Sequence, residues 1–134
     1  MEDFYFDTSI WLDFFEKRGE HGEAALALIT KIIRGGLKIA YSDMTIKEFR
    51  NLGYTSEEIN TIFSVVKPDN IKRIHINREQ KEEARKLALQ RDIPKGDALH
   101  AVLARDNFVQ LISRDGHFQK LKDITSVKKP EEII

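Results

Sequence analysis

Four carboxylates are placed where they could act together: Asp7, Glu48, Asp97 and Asp115. Asp7 directly follows Phe4-Tyr5-Phe6, three aromatics that read as a short strand buried on both faces. Asp115 stands just beyond a second apolar run, Phe108 to Ile112. Asp97 opens a helix whose neighbours Ala98 and Ala101 are too small to block it, and Glu48 lies on a helix that follows another strand. In open α/β sheets the carboxyl edge of the strands is where ligands bind. Folded as α/β units, the chain would gather all four acids over that edge. Their mutual repulsion would raise their pKa values unless a cation relieved it. Magnesium or manganese prefers oxygen ligands and would do so. The chemistry implied is metal-assisted hydrolysis of a phosphodiester. Taken singly, each acid has an ordinary reading as well: Asp97 as a helix cap, Asp7 as a common strand end.

The elements that must position these acids alternate between strand and helix. Thr8 and Ser9 are good N-caps for a first helix over about Ser9 to Lys17, with Gly19 as its stop. A second helix over Gly22 to Arg34 carries Ala25, Leu28, Ile29 and Ile32 at helical spacing. Leu37 to Tyr41 alternates like a strand, and Ser42 or Asp43 can cap a short helix bearing Ile46, Glu48, Phe49 and Leu52. Thr55 with Glu58, and Asn77 with Gln80, have capping-box spacing ahead of two further helices. A third strand spans Ile71 to Ile76. The small apolar helix from Asp97 to Asp106 leads into the fourth strand, Phe108 to Ile112. Phe118 and Leu121 mark one helical turn, Ile124 to Val127 an edge strand, and Pro130 to Ile134 a short tail. Such alternation argues for α/β architecture, a parallel sheet covered on both faces.

With 134 residues the chain reads as one domain over 1–134, able to bury roughly two thirds of its unfolded surface. There is no cysteine, which excludes disulfides, thiolate zinc sites and cysteine nucleophiles. Lys plus Arg and Asp plus Glu both number 22, so no overall charge draws the chain to nucleic acid. An acidic metal site and a basic rim can cancel in that sum. The N-terminus, Met1-Glu2-Asp3, is acidic, unlike a signal peptide. No apolar run approaches the roughly 18 residues of a membrane span. The expectation is a soluble, cytoplasmic protein without a membrane partner.

Four segments together carry a family resemblance: Asp7-Thr8-Ser9; Ser42 to Phe49, with Glu48; Gly96-Asp97-Ala98-Leu99-His100-Ala101; and Ile112 to Phe118, with Ser113 and Asp115. In order and approximate spacing they resemble the PIN domains, and most of all the VapC-type toxins of toxin–antitoxin systems. The resemblance implies a three-layer α/β/α fold with about five parallel strands in the central sheet. It also implies a ribonuclease using Mg2+ or Mn2+, inhibited by a small antitoxin protein and forming a homodimer. Carried over by position, Asp7, Glu48, Asp97 and Asp115 are the acidic quartet. Ser9 supports the first acid or a water of the site, and Ser113 matches the hydroxyl before the last acid. The implied mechanism has the three aspartates holding metal while Glu48 completes the site or orients water, which displaces the 3′ oxygen. The region from Leu52 to Asn77 is the least family-like.

Around the quartet, Arg114, Lys95 and Lys120, with Lys122, could form a phosphate-binding rim or an ordinary solvated face. His100 is expected in a packing or supporting role and His117 exposed; neither has a histidine partner at zinc-ligand spacing. Trp11, Phe14 and Phe15 span more than one helical face, which leaves one available to a partner and resembles the antitoxin-binding surface of VapC-like proteins. Ile59, Ile62, Phe63 and Val66 could serve a homodimer interface or the core. Two other functions compete: a catalytically silent PIN-like module for RNA processing or scaffolding, and a phosphatase of the haloacid dehalogenase type. The latter class has Asp-x-Asp where this chain has Asp7-Thr8-Ser9.

Overall fold

A computed structural model describes residues 2–134; Met1, part of the acidic N-terminus read above, lies outside them. The elements in chain order are β1 (Phe4–Phe6), α1 (Thr8–Phe15), α2 (Gly19–Arg34), β2 (Ile39–Ser42), α3 (Asp43–Asn51) and α4 (Ser56–Phe63). They continue with β3 (Ile71–Ile74), α5 (Arg78–Arg91), α6 (Lys95–Asp106), β4 (Gln110–Ile112) and β5 (Val127–Lys128). Short 3-10 turns at Gly116–Leu121 and Pro130–Glu132 flank β5. Among the described residues no helix is long and apolar enough to cross a membrane.

The five strands form one parallel sheet in the order β3-β2-β1-β4-β5. β1 is central, and its side chains alternate between the two faces as strand geometry requires. Phe4 and Phe6 join Ile39 and Ile112 on one face, under α1, α2, α3 and α4. Tyr5 joins Ala40 and Leu111 on the other, under α5 and α6. Because every strand runs the same way, Asp7, Ser42 and Ser113 emerge at the same edge. The chain goes from β1 outward to β2 and later returns to add β4 on β1's other side. That reversal opens a crevice at the carboxyl ends of β1 and β4.

Several boundaries differ from the sequence reading for local reasons. Asp7, not Thr8 or Ser9, caps α1: its carboxylate accepts from the Thr8 amide at 2.8 Å. Gly19 does not stop the first helix but opens the second, at φ +59°. Gly22 lies inside α2, where a Cβ would meet the Asp13 carbonyl oxygen at 2.6 Å; the missing side chain lets the two helices meet closely. The second strand is shifted to Ile39–Ser42, and the third ends at Ile74. Phe108 does not belong to the fourth strand; it is 83% exposed on a loop at φ +54°. The edge strand is Val127–Lys128, and the tail holds a 3-10 turn. Both capping boxes form as read, Thr55 with Glu58 and Asn77 with Gln80.

Ile59, Ile62, Phe63 and Val66 are all buried, so the dimer reading of that helix gives way to the core. Phe63 packs edge-on to Trp11 at 4.9 Å between ring centroids. Burying this apolar set is what holds α4 down.

Candidate active site

Asp7 sits at the end of β1, buried, with both oxygens engaged. One accepts from the Thr8 amide; the other accepts from Ser113 Oγ at 2.8 Å and from Ser9 Oγ at 3.4 Å. Ser113 also accepts from the Asp115 amide at 3.0 Å, so one hydroxyl ties the ends of β1 and β4 together.

Glu48 reaches the same place from α3, a helix whose start is set by Ser42 and Thr45 in a reciprocal cap. Its Oε1 accepts from Thr8 Oγ1 at 2.6 Å and from His100 Nε2 at 2.7 Å. An ionised carboxylate only accepts, so His100 must carry a proton on Nε2. His100 is fully buried, and its Nδ1 lies 2.6 Å from the Tyr5 hydroxyl, which lies 2.7 Å from Ser42 Oγ. A chain of side-chain hydrogen bonds thus runs from the sheet interior to Glu48. Its other oxygen passes under the start of α6, where a Cβ on Gly96 would stand 2.8 Å from Glu48 Oε2.

Asp97 lies in the first turn of α6, which begins two residues earlier than the sequence suggests, after Pro94. It is buried, whereas Asp115 is exposed. His117 joins them: its Nδ1 is 2.9 Å from Asp97 Oδ2 and 3.0 Å from Asp115 Oδ1.

The four acids therefore face one cleft of about 480 Å³, also lined by Thr8, Ser9, Arg18 and Asn51. Within it the donors fall into two trios, Asp7–Glu48–His100 and Asp97–Asp115–His117, each with ligand atoms within 4.8 Å of one another. Crowding leaves an electrostatic signature. Burial, followed by the charges of Asp115 and Asp7, pushes the Asp97 carboxyl up to about 6. Burial likewise raises Asp7, and Glu48 adds to it, against the pull of His100 and Ser113. For Glu48, burial is outweighed by His100 and Thr8, and its pKa falls below the usual range. For His100, burial is outweighed by the Tyr5 oxygen, Glu48 and Asp7, and its pKa rises well above that of free imidazole. Carboxylates held this closely, with oxygen donors dominant, fit a hard divalent cation.

The expected basic rim is not drawn together at the cleft. Arg114 folds back onto Glu131 and lies 3.5 Å from Asp13 Oδ2. Lys120 donates to the Arg91 carbonyl, and Lys95 is an exposed residue at the start of α6; none of the three lines the cleft. Arg18 does, and sequence reading missed it, because it sits in the tight link between α1 and α2 with no motif around it. Thr8 and Tyr5 were also missed as supports. Tyr5 carried a signal: a phenol between two phenylalanines in a buried strand needs a hydrogen-bond partner.

Comparison with known proteins agrees with this geometry. The family model for the PIN domain matches residues 4–124. Comparison with curated protein sequences returns no match. Among solved structures, the chain is similar to one in VapBC2 from Rickettsia felis bound to a promoter DNA fragment, with TM-score 0.70 and 14% identity. That match covers 94% of this chain and 97% of the other. A toxin–antitoxin complex from Klebsiella pneumoniae matches at TM-score 0.65 and 20% identity, over 96% and 98% of the two chains. FitAcB from Neisseria gonorrhoeae matches at TM-score 0.61 and 17% identity, also over 96% and 98%. At these identities the structural likeness speaks to fold; the family model speaks to descent. With the sheet order, the cleft and a match over most of its length in view, the chain belongs to the PIN domain family.

Proposed function

We propose that this chain, acting as one domain over 1–134, is a metal-dependent endoribonuclease and the toxin of a VapBC-type pair in the cytoplasm. The observation that carries the reading is the convergence of Asp7, Glu48, Asp97 and Asp115 on one cleft at the carboxyl edge of a PIN-domain sheet. Asp7, Asp97 and Asp115 would hold Mg2+ or Mn2+, and Ser9 and Ser113 keep Asp7 oriented. When bound, the ion activates water and offsets charge building on the phosphate. Glu48, fixed by Thr8 and His100, orients the attacking water. Ser113 keeps Asp7 and Asp115 in register, and the geometry is thereby set before substrate arrives.

The partner reading rests on a second concavity. Phe14, Phe15, Leu26 and Val65 line an apolar groove of about 560 Å³ between α1, α2 and the segment after α4. Leu26 and Val65 are exposed there, and such patches mark protein-binding surfaces. We assign this groove to a segment of a small antitoxin, in keeping with the structural neighbours being toxin–antitoxin complexes. A homodimer is part of the same reading, through a surface other than the buried face of α4.

The test is cleavage of RNA by the purified chain with Mg2+ or Mn2+. Loss of cleavage with EDTA, and in both Asp7→Asn and Asp97→Asn, is the expected result. Undiminished cleavage in both variants would overturn the assignment and leave a silent PIN module as the better description.

A further inference from the structure

We infer that His117 is itself a ligand of the metal ion, and that its nitrogen tilts the outer half of the cleft away from Mg2+ and toward Mn2+ or later transition ions. The inference rests on the metal-site reading given above and adds a donor to it. Sequence spacing gives His117 no such role, because no second histidine stands at zinc-ligand spacing.

His117 Nδ1 lies 2.9 Å from Asp97 Oδ2 and 3.0 Å from Asp115 Oδ1. Neighbouring donors at right angles on an ion with bonds of about 2.1 Å stand about 3 Å apart. Both spacings agree with that value. One Nδ1–H can be shared between the two oxygens, but it cannot be well aligned with both, so a hydrogen bond alone serves one acid better than the other. A lone pair on Nδ1 facing an ion shared with both carboxylates satisfies all three groups. The backbone helps: the His117 amide donates to Asp115 Oδ1 at 2.9 Å, fixing the ring's base beside the acid it would join. The side chain is 48% exposed, which leaves Nε2 free to keep its proton toward solvent. The inner trio offers no equal opportunity, because both nitrogens of His100 are already taken by Glu48 and Tyr5.

Chemistry follows from donor type. Mg2+ strongly prefers oxygen and retains its waters, whereas an imidazole suits softer divalent ions. A nitrogen donor therefore changes which ion wins more than whether one binds.

The experiment is pulsed EPR of the metal-free full chain loaded with Mn2+ alone, paired with calorimetric titrations of Mn2+ and of Mg2+. Electron spin echo modulation from a directly bound 14N is expected in the native chain and absent in His117→Gln, with Mn2+ still bound. The same substitution should weaken Mn2+ binding roughly tenfold or more and Mg2+ binding by less than about threefold. Bound Mn2+ without nitrogen modulation, or modulation that persists in His117→Gln, overturns the ligand assignment while the metal site stands. No Mn2+ binding at all overturns both.

Discussion

The two halves of the cleft are built from the same parts, two acids and an imidazole, in opposite surroundings. Asp7, Glu48 and His100 are locked by hydrogen bonds with Thr8, Ser9, Ser113 and Tyr5, and His100 is wholly buried. Around Asp97, Asp115 and His117 the protein supplies fewer bonds, and both Asp115 and His117 are exposed. The inner half is set by folding; the outer half is left for something else to complete. Two acids and an imidazole thus become a fixed reference or an adaptable face according to how closely the surrounding protein bonds and covers them.

Removing each histidine should make the difference plain. His100→Ala leaves a cavity and takes a partner from both Glu48 and Tyr5, so unfolding in urea should show a loss of about 3 kcal/mol. His117→Ala should stay within about 0.5 kcal/mol of the parent in the same assay, as exposed substitutions do. Comparable losses in the two variants would erase the distinction.

A subtler break targets position without touching any acid. Gly96→Ala sets a methyl group 2.8 Å from Glu48 Oε2, on a carboxylate whose other oxygen, Oε1, is held by Thr8 and His100 and so limits its retreat. Ala is also the better helix former, so stability should change by less than about 1 kcal/mol. RNA cleavage should nonetheless fall roughly tenfold or more, because a small misplacement at a site is expensive in rate. An unchanged rate would mean that Glu48 tolerates displacement.

The smallest effect concerns pH. Asp97 titrates near 6 in the folded chain, above its ordinary value, so the native state holds this proton more tightly than the unfolded state. In metal-free protein its contribution therefore declines as pH rises from about 4 through 6, and is recovered on acidification. Asp97→Asn should remove that slope and stabilise metal-free protein at pH 7 by about 1 kcal/mol, after allowing for solvent screening. Parallel stability–pH curves for the two proteins would show that the crowding is relieved in some other way.

Much of the fold was legible because local signals agreed with the global pattern. The capping pairs Thr55–Glu58 and Asn77–Gln80 begin their helices as the side-chain chemistry requires. The aromatic run Phe4–Phe6 has the continuous burial of a central parallel strand. What failed was local geometry decided by tertiary contact. Gly19 looked like a terminator, yet its positive φ serves to start α2, and Gly22 looked like a start when its role is close helix approach. The acids could be read because strand ends and helix starts fix them along the chain. The basic residues could not, because long side chains choose partners across the surface: Arg114 turned to Glu131, and Arg18 took the place at the cleft.

Tyr5 ties the interior of the sheet to its working edge. The ring fills the core between β1 and α6, while its hydroxyl keeps company with Ser42 and His100. A phenylalanine there would pack about as well and leave the imidazole without its second contact. The central strand therefore cannot be chosen for oiliness alone: one oxygen atom, deep inside, makes the hydrophobic layer answerable to the orientation of a glutamate on its rim.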